Sequence, residues 1–529
     1  MTFSSACEGV LSWKHVRAEA NAPLIIHRTM ATAIPRTWSP VTTETLAPTE
    51  PKLEQEDLYT RFRGEHQRFW DDYANTFAQW EGLRGYYQSR LAFMYRFLIP
   101  PGMRVLELGC GQGDLLAALE PGFGVGVDFS ERMLSRAQAR HPQLTFVQAD
   151  VHEFVTDEKF DFIILSDLVN EVWDVQRVFE LVAHHSQPST RVVLNSYSRL
   201  WEFPRKLAEM LHLAKPQLTQ NWMTREDLQN LLYLSGFETV RGFSEMMWPV
   251  RTPGFDTLCN RYLGKLGMFS WLGITNFIVA RPQPEAPRDR EPVVSVIVPA
   301  RNEAGNIRRI FEEVPSLGAG TELIFVEGHS SDNTYETIEK EMARWPGRDV
   351  KLFRQTGKGK GDAVRLGFNE ASGELLMILD ADLTVPPEDL VRFYEAWRSG
   401  KGEFVNGVRL IYPMQDHAMR FFNLLGNKFF SIAFTWLLGQ SVKDTLCGTK
   451  VLSKRHYEMI AANRSYFGDF DPFGDFDLLF GAAKYNLKIA DLPVRYRERT
   501  YGTTNIQRWT HGWLLLRMVV QAMRRVKFV

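Results

Sequence analysis

Two aspartates one residue apart, Asp380 and Asp382, close the apolar run "LLMILDADL" and precede a Pro-Pro turn. Residues two apart on an extended chain lie on the same side, so both carboxylates can face one point. Like charges that close repel and raise each other's pKa unless a cation compensates. A hard divalent ion, with a diphosphate and water in its remaining positions, is the natural compensation. A second chemical cluster stands much earlier, in "VLELGCGQGDLLAAL", where Gly109, Gly111 and Gly113 follow a strand-like run containing Glu107. Glycines let the chain turn sharply and let a ligand touch the backbone. A tight turn without a ligand and a dinucleotide-binding loop compete for that pattern alone. Asp128 and Asp150 end the next two strand-like runs, "GVGVD" and "FVQAD". Acids at successive strand ends can accept hydrogen bonds from a ligand's hydroxyls and amines.

Elements must hold these groups in place. Short continuous apolar runs ("RVLELG", "FGVGVD", "LTFVQAD", "FDFIILSD") alternate with helix-length segments, and the pattern restarts as "VVSVIVPA", "ELIFVEG", "LLMILDAD" and "IADLPVRY". Such strands point to parallel sheets covered on both faces. The fold class expected is α/β, in two successive doubly wound domains. Between them "ARPQPEAPRDREP" carries four prolines and six charged residues and cannot bury a face, so it reads as a spacer. The boundaries expected are a poorly ordered Thr-, Pro- and Ala-rich extension over 1–60, a first domain over 61–283, a linker over 284–292 and a second domain over 293–529.

Length and composition agree. A chain of 529 residues exceeds one core of ordinary size, and a formal charge of −1 gives no support to nucleic-acid binding. Cys7, Cys110, Cys259 and Cys447 have neither zinc-site spacing nor disulfide density, which favours a reducing cytoplasm. The apolar stretch "FFSIAFTWLL" is about half of what a bilayer span needs. The C-terminal "RWTHGWLLLRMVVQAMRRVKFV" spaces Trp509, Trp513, Leu516, Val520 and Met523 at helical intervals beside Arg517, Arg524, Arg525 and Lys527. It suits either a membrane interface or a packed helix with a basic outer face. The expected location is the cytoplasmic face of a membrane, by peripheral contact.

On the glycine loop and its acid-ended strands, residues 65–283 resemble the class I S-adenosylmethionine-dependent methyltransferases. The resemblance implies a Rossmann-like domain binding S-adenosylmethionine. Glu107, Gly109, Gly111 and Gly113 would hold its methionine portion, Asp128 the ribose, and Asp150 with Val151 the adenine. Ser166, Asp167 and Asn170 would line the methyl-transfer mouth. No Asn-Pro-Pro-Tyr motif of nucleic-acid amino-methylating enzymes is present, so a small molecule, sugar or lipid is the expected acceptor.

On "VSVIVPARNEAGNIRRIFEEV", "ELIFVEGHSSDNTYETIEK" and "QTGKGKGDAVRLGFNEASGELLMILDADL", residues 293–510 resemble the family 2 glycosyltransferases of the GT-A fold. That likeness implies a nucleotide-diphosphate sugar donor. Pro299, Arg301, Glu303 and Glu327 would surround its nucleoside, and Lys358 and Arg365 its phosphate or sugar side. Mg²⁺ or Mn²⁺ would sit on Asp380 and Asp382. Gly328 stands where many relatives have a second acid, which leaves base preference open. "NGVRLIY", "AMRFFNLLGNKFFS", "DTLCGTKVL" and "GDFDLLFGAAKYNLKIADLPVRYRER" are similar to polyprenol-phosphate sugar synthases. The implied acceptor is polyprenyl phosphate, held by Arg409 and Arg420, with Asp475 and Asp477 orienting it or serving as base to a hydroxyl acceptor. Thr384, where such synthases often carry Gln, departs from the pattern. The reading is a bifunctional enzyme; a hydroxyl-bearing acceptor and a catalytically silent binding domain are its rivals.

Overall fold

The computed structural model describes residues 51–76, 81–210, 218–284, 290–412, 421–464, 474, 476–501 and 508–529. Most of the expected extension and of the linker, and Arg420 and Asp475, lie outside the described residues. The chain from Leu58 onward forms one compact unit.

The first sheet contains β1 (Arg104–Leu108), β2 (Phe123–Asp128), β3 (Thr145–Gln148), β4 (Phe162–Ser166), β5 (Arg191–Tyr197), β6 (Phe237–Glu245) and β7 (Thr275–Pro282), in the order β3-β2-β1-β4-β5-β7-β6. β1 to β5 run parallel, and β7 is antiparallel to both β5 and β6. Alternation along the strands splits the core into two layers. Leu106, Leu108, Ile163 and Leu165 pack on one face, and Val105, Phe162, Ile164 and Val193 on the other.

The second sheet contains β8 (Val293–Ala300), β9 (Gly320–Glu327), β10 (Asp349–Arg354), β11 (Leu375–Ile378), β12 (Phe404–Val408), β13 (Lys450–Ser453) and β14 (Ile489–Pro493), in the order β10-β9-β8-β11-β13-β12-β14. Here β13 is antiparallel to β11 and β12. Both sheets are therefore mixed where the sequence pointed to parallel ones. Continuous apolar runs report burial on both faces but not strand direction, which the connections decide. The helix Pro51–Thr76 includes the last ten residues of the expected extension.

A buried ionic seam joins the domains. Glu403, just before β12, accepts from Arg191 at 2.5 Å and lies 3.3 Å from Arg281, while the Lys488 backbone N–H donates to it at 2.9 Å. Arg191 opens β5 and Arg281 sits near the end of the antiparallel β7, so one end of the first sheet faces the amino ends of β12 and β14. The carboxyl ends of the parallel strands lie away from these contacts. Those ends are where α/β sheets place their ligands.

Candidate active sites

In the first domain the chain order reverses between β1 and β4, and a chamber of about 1600 Å³ opens at their carboxyl ends. Glu107, Gly109, Gly111, Asp128, Asp150, Val151 and Ser166 all line it. Gly113 does not; its Cα faces the Phe146 ring, which a side chain would strike. Gly111 has φ 52° and open space where a Cβ would project, so only glycine leaves that backbone both relaxed and accessible. The Gly111 N–H donates to Asp128 at 2.9 Å and the Ser130 N–H to its other oxygen at 2.9 Å, which fixes the carboxylate. Glu107 is buried, and burial with the nearby Asp128 and Asp114 pushes its carboxyl up to about 8. Its Oε2 and the Nε2 of Gln112 are buried without partners, an acceptor and a donor of the kind a ligand bearing both an amine and a carboxylate would satisfy.

Asp150 accepts from Tyr59 at 2.8 Å and from both the backbone and ring of His152. Burial opposes its ionisation, but these bonds hold it down at about 2. Asp167 stands in the left-handed region, φ 55°, just after β4, and accepts from Tyr87 at 2.8 Å. Asn170 instead ties loops together, donating to the Asn221 carbonyl and accepting from the Tyr197 N–H. Sequence reasoning passed over Glu171. It lines the chamber, accepts from Trp70 at 2.9 Å and is pushed up to about 7 by burial. The aromatic wall of Trp70, Tyr87, Tyr197, Trp201 and Trp222 was also unread, because it is assembled from distant segments.

The second site forms where β8, β9 and β11 end. Each end is followed by a non-glycine residue in the left-handed region, Asn302 (φ 57°), His329 (φ 58°) and Leu383 (φ 53°). Such strain costs on the order of 1 kcal/mol or more per residue and concentrates at functional sites. Asp382 accepts from the Thr384 N–H at 3.1 Å and hydroxyl at 2.8 Å on one oxygen, and from Arg499 at 2.6 Å on the other. Thr384 thus steadies this carboxylate. Asp380 faces Lys360 at 2.5 Å. Burial would raise its carboxyl, but Lys360, Lys450 and Arg409 override this and hold it below the usual range. Glu303, 3.3 Å from Arg499, is pushed up to about 7 chiefly by burial.

The other predicted groups are differently employed. Glu327 accepts from the Ser330 N–H, Pro299 is half-buried, and Arg301 and Lys358 are exposed. Arg365 donates to Asp477 at 3.2 Å, and Arg464 shares that carboxylate at 3.1 Å. Arg409 is locked in a buried two-pronged pair with Asp444, at 2.7 and 2.9 Å. That pairing occupies the fork expected to grip an acceptor phosphate, so in this structure Arg409 braces the loop beside Asp380.

The sequence pattern described as glycosyl transferase family 2 matches residues 295–467, and that described as a methyltransferase domain matches residues 79–241. The chain joins a methyltransferase domain to a family 2 glycosyltransferase domain. A dolichol-phosphate mannosyltransferase of Pyrococcus furiosus is 28% identical over 44% of this chain and 67% of its own length. An undecaprenyl-phosphate 4-deoxy-4-formamido-L-arabinose transferase of Edwardsiella ictaluri is 31% identical over 40% of this chain and 61% of its own. The chain thus spans about two thirds or less of these curated relatives. Among solved structures, an S-adenosylmethionine dependent methyltransferase from Mesorhizobium loti covers 35% of this chain and 94% of its own at 24% identity, with a TM-score of 0.29.

The surroundings of Asp380 include residues that motif reading quoted but did not single out. Lys360, two positions beyond Lys358, supplies the cation to Asp380, and Gly448 makes room for the pair. A Cβ on Gly448 would stand 2.1 Å from both Asp380 Oδ2 and Lys360 Nζ. Gly448→Ala is therefore expected to displace Asp380 and lower glycosyl transfer by about tenfold or more, since misplacing a reacting group by about 1 Å costs up to a hundredfold. Steady-state turnover checks this, and an unchanged rate contradicts it.

Proposed function

We propose that the chain is a bifunctional enzyme. Its glycosyltransferase domain moves a hexose from a nucleotide-diphosphate sugar to polyprenyl phosphate, and its methyltransferase domain methylates a small-molecule, glycan or lipid acceptor. The observation that carries the first activity is the Asp380-Ala381-Asp382 turn, braced by Lys360 and Arg499 at the end of β11. The names of both curated relatives include a lipid phosphate. Among the described residues no group of three His, Cys, Asp or Glu side chains could hold a metal by itself. Two hard carboxylates suit an ion that completes its shell with substrate phosphates and water. Asp380 and Asp382 would hold Mg²⁺ or Mn²⁺, and such an ion supplies Lewis-acid stabilisation of the departing diphosphate. Lys360 keeps Asp380 ionised, and Arg499 and Thr384 fix the orientation of Asp382. A phosphate acceptor is already anionic, so the tying of Asp477 to Arg365 and Arg464 costs the reaction no base.

No helix among the described residues is long and apolar enough to cross a membrane. The helices Phe421–Leu438 and Arg508–Ala522 pack against each other and leave Phe429, Ile432, Trp513, Leu516 and Val520 exposed. Leu515, Met518, Val519 and Ala522 form the buried face instead. The exposed apolar stripe beside Arg517, Arg524 and Arg525 supports peripheral contact with an anionic cytoplasmic membrane face. The test is a panel of nucleotide sugars with polyprenyl phosphate and Mg²⁺ or Mn²⁺. Labelled hexose entering the organic phase supports the reading. Label confined to the aqueous phase favours a hydroxyl acceptor, and the absence of product defeats it.

In the methyltransferase domain the unpartnered Glu107 Oε2, the open backbone at Gly111 and the fixed Asp128 fit S-adenosylmethionine, which supplies the methyl group when bound. Glu171 takes the acceptor's proton. Since burial raises its carboxyl to about 7, it is protonated and inactive below that pH and competent above it. Methyl transfer should therefore rise with pH through about 7. Glu171→Gln should remove that limb and lower the rate on the order of a hundredfold. A pH-rate profile of the variant that keeps the limb rejects the assignment.

A further inference from the structure

A second, smaller cavity of about 170 Å³ lies where the two domains meet, lined from the first by Arg225, Arg241 and Lys265 and from the second by Trp436, Gly439 and Lys527. Arg241, on β6, is 7% exposed, and its Nε and Nη2 have no hydrogen-bond partner. Among the described residues no carboxylate pairs with it. The one side-chain acid in the described wall, Glu245, lies against Lys265, with Arg90 at 3.6 Å. The backbone oxygen of Val529, also in the wall, accepts from Arg90 at 2.9 Å. Lys527 points at the Trp436 carbonyl, 3.0 Å away, and not at an acid. Burial pushes Lys527 and Lys484 down to about 8 and Arg241 to about 10, and the Arg241 charge adds to the shift of both lysines.

A buried guanidinium with idle donors beside further cations is costly unless something anionic completes it. The burial of Arg241 comes from both domains: β6 carries it, and Gly439, at the end of the helix Phe421–Leu438, closes over its side chain. We propose that this seam cavity binds a phosphate-bearing anion. The volume is ample for one phosphate group. Guanidinium forks and ammonium groups are the usual phosphate donors. Two sources share this chemistry, free orthophosphate and the phosphate head of a prenyl lipid. Because both domains build the wall, bound anion holds them together.

The experiment uses the full chain and Arg241→Met in phosphate-free buffer. Thermal melting is followed on adding orthophosphate, or a short-chain prenyl monophosphate in micelles, and calorimetry counts the sites. Without anion the variant should melt at or above the wild-type temperature, since it removes an unpaired buried charge. Anion should raise the wild-type melting temperature by a few degrees and leave the variant short of that rise and of one binding site. Lys527→Gln should weaken that site by about tenfold while Arg241 remains. A response to orthophosphate alone assigns a free anion, and a stronger one to the prenyl phosphate assigns a lipid head; both support the site. Equal site counts in wild type and variant overturn it. So does a variant that melts well below wild type without anion, because Arg241 is then a structural cation at the end of the neighbouring helix.

Discussion

Asparagine in place of Asp382 is expected to cut glycosyl transfer by on the order of a hundredfold, equivalent to about 2.7 kcal/mol of transition-state stabilisation, while methyl transfer continues. The substitution keeps the shape of the side chain and its contacts with Thr384, but removes the charge that faces Arg499 at 2.6 Å and would face the ion. What would be lost, on the proposed reading, is a preorganised anion beside the departing diphosphate. Turnover with Mg²⁺ or Mn²⁺, measured beside methyl transfer on the same preparation, separates this from misfolding. Equal glycosyl transfer in variant and wild type would end the metal assignment.

The second large effect falls on stability. Glu403→Gln leaves Arg191 and Arg281 buried at the seam without their shared anion, and breaking such a buried pair costs about 3–5 kcal/mol. The acid dependence has a definite sign. Burial disfavours the Glu403 carboxylate, but the two guanidiniums outweigh it and lower its carboxyl to about 2. The stabilisation is complete above the ordinary carboxyl range near 4.5 and is lost as pH falls from there to about 2. Glu403→Gln should remove that part of the acid transition. Urea melts at pH 7 and pH 3 check both claims; a variant as stable as wild type at pH 7 refutes the seam's role. Since the parallel strands' carboxyl ends lie away from these contacts, weakening them should alter melting before it alters either reaction.

The sequence alone pointed to the parts that local chemistry dictates. Continuous apolar runs marked eight of the fourteen described strands, the Gly109-Gly111-Gly113 loop marked the turn after β1, and Asp380 with Asp382 marked the turn after β11. Each is a short-range pattern, because strand burial and tight turns are written in neighbouring residues. It also yielded the cluster of Glu107, Asp128, Asp150, Val151 and Ser166 around one chamber. Strand direction was beyond it, because the antiparallel β7 and β13 are not among the runs it marked.

Only the tertiary structure decided how charges pair. Lys360, which the motifs did not single out, reaches Asp380, Arg409 belongs to Asp444, and Arg499 crosses 117 residues to Asp382. Glu403 binds arginines from another domain, Glu171 acquires a carboxyl near 7 through burial, and Arg241 is left without an acid. Electrostatic partnership depends on distance and on exclusion of water, and both are set by contacts between segments far apart in the chain. A charged residue's type is legible in the sequence, but its partner exists only once the domains have packed.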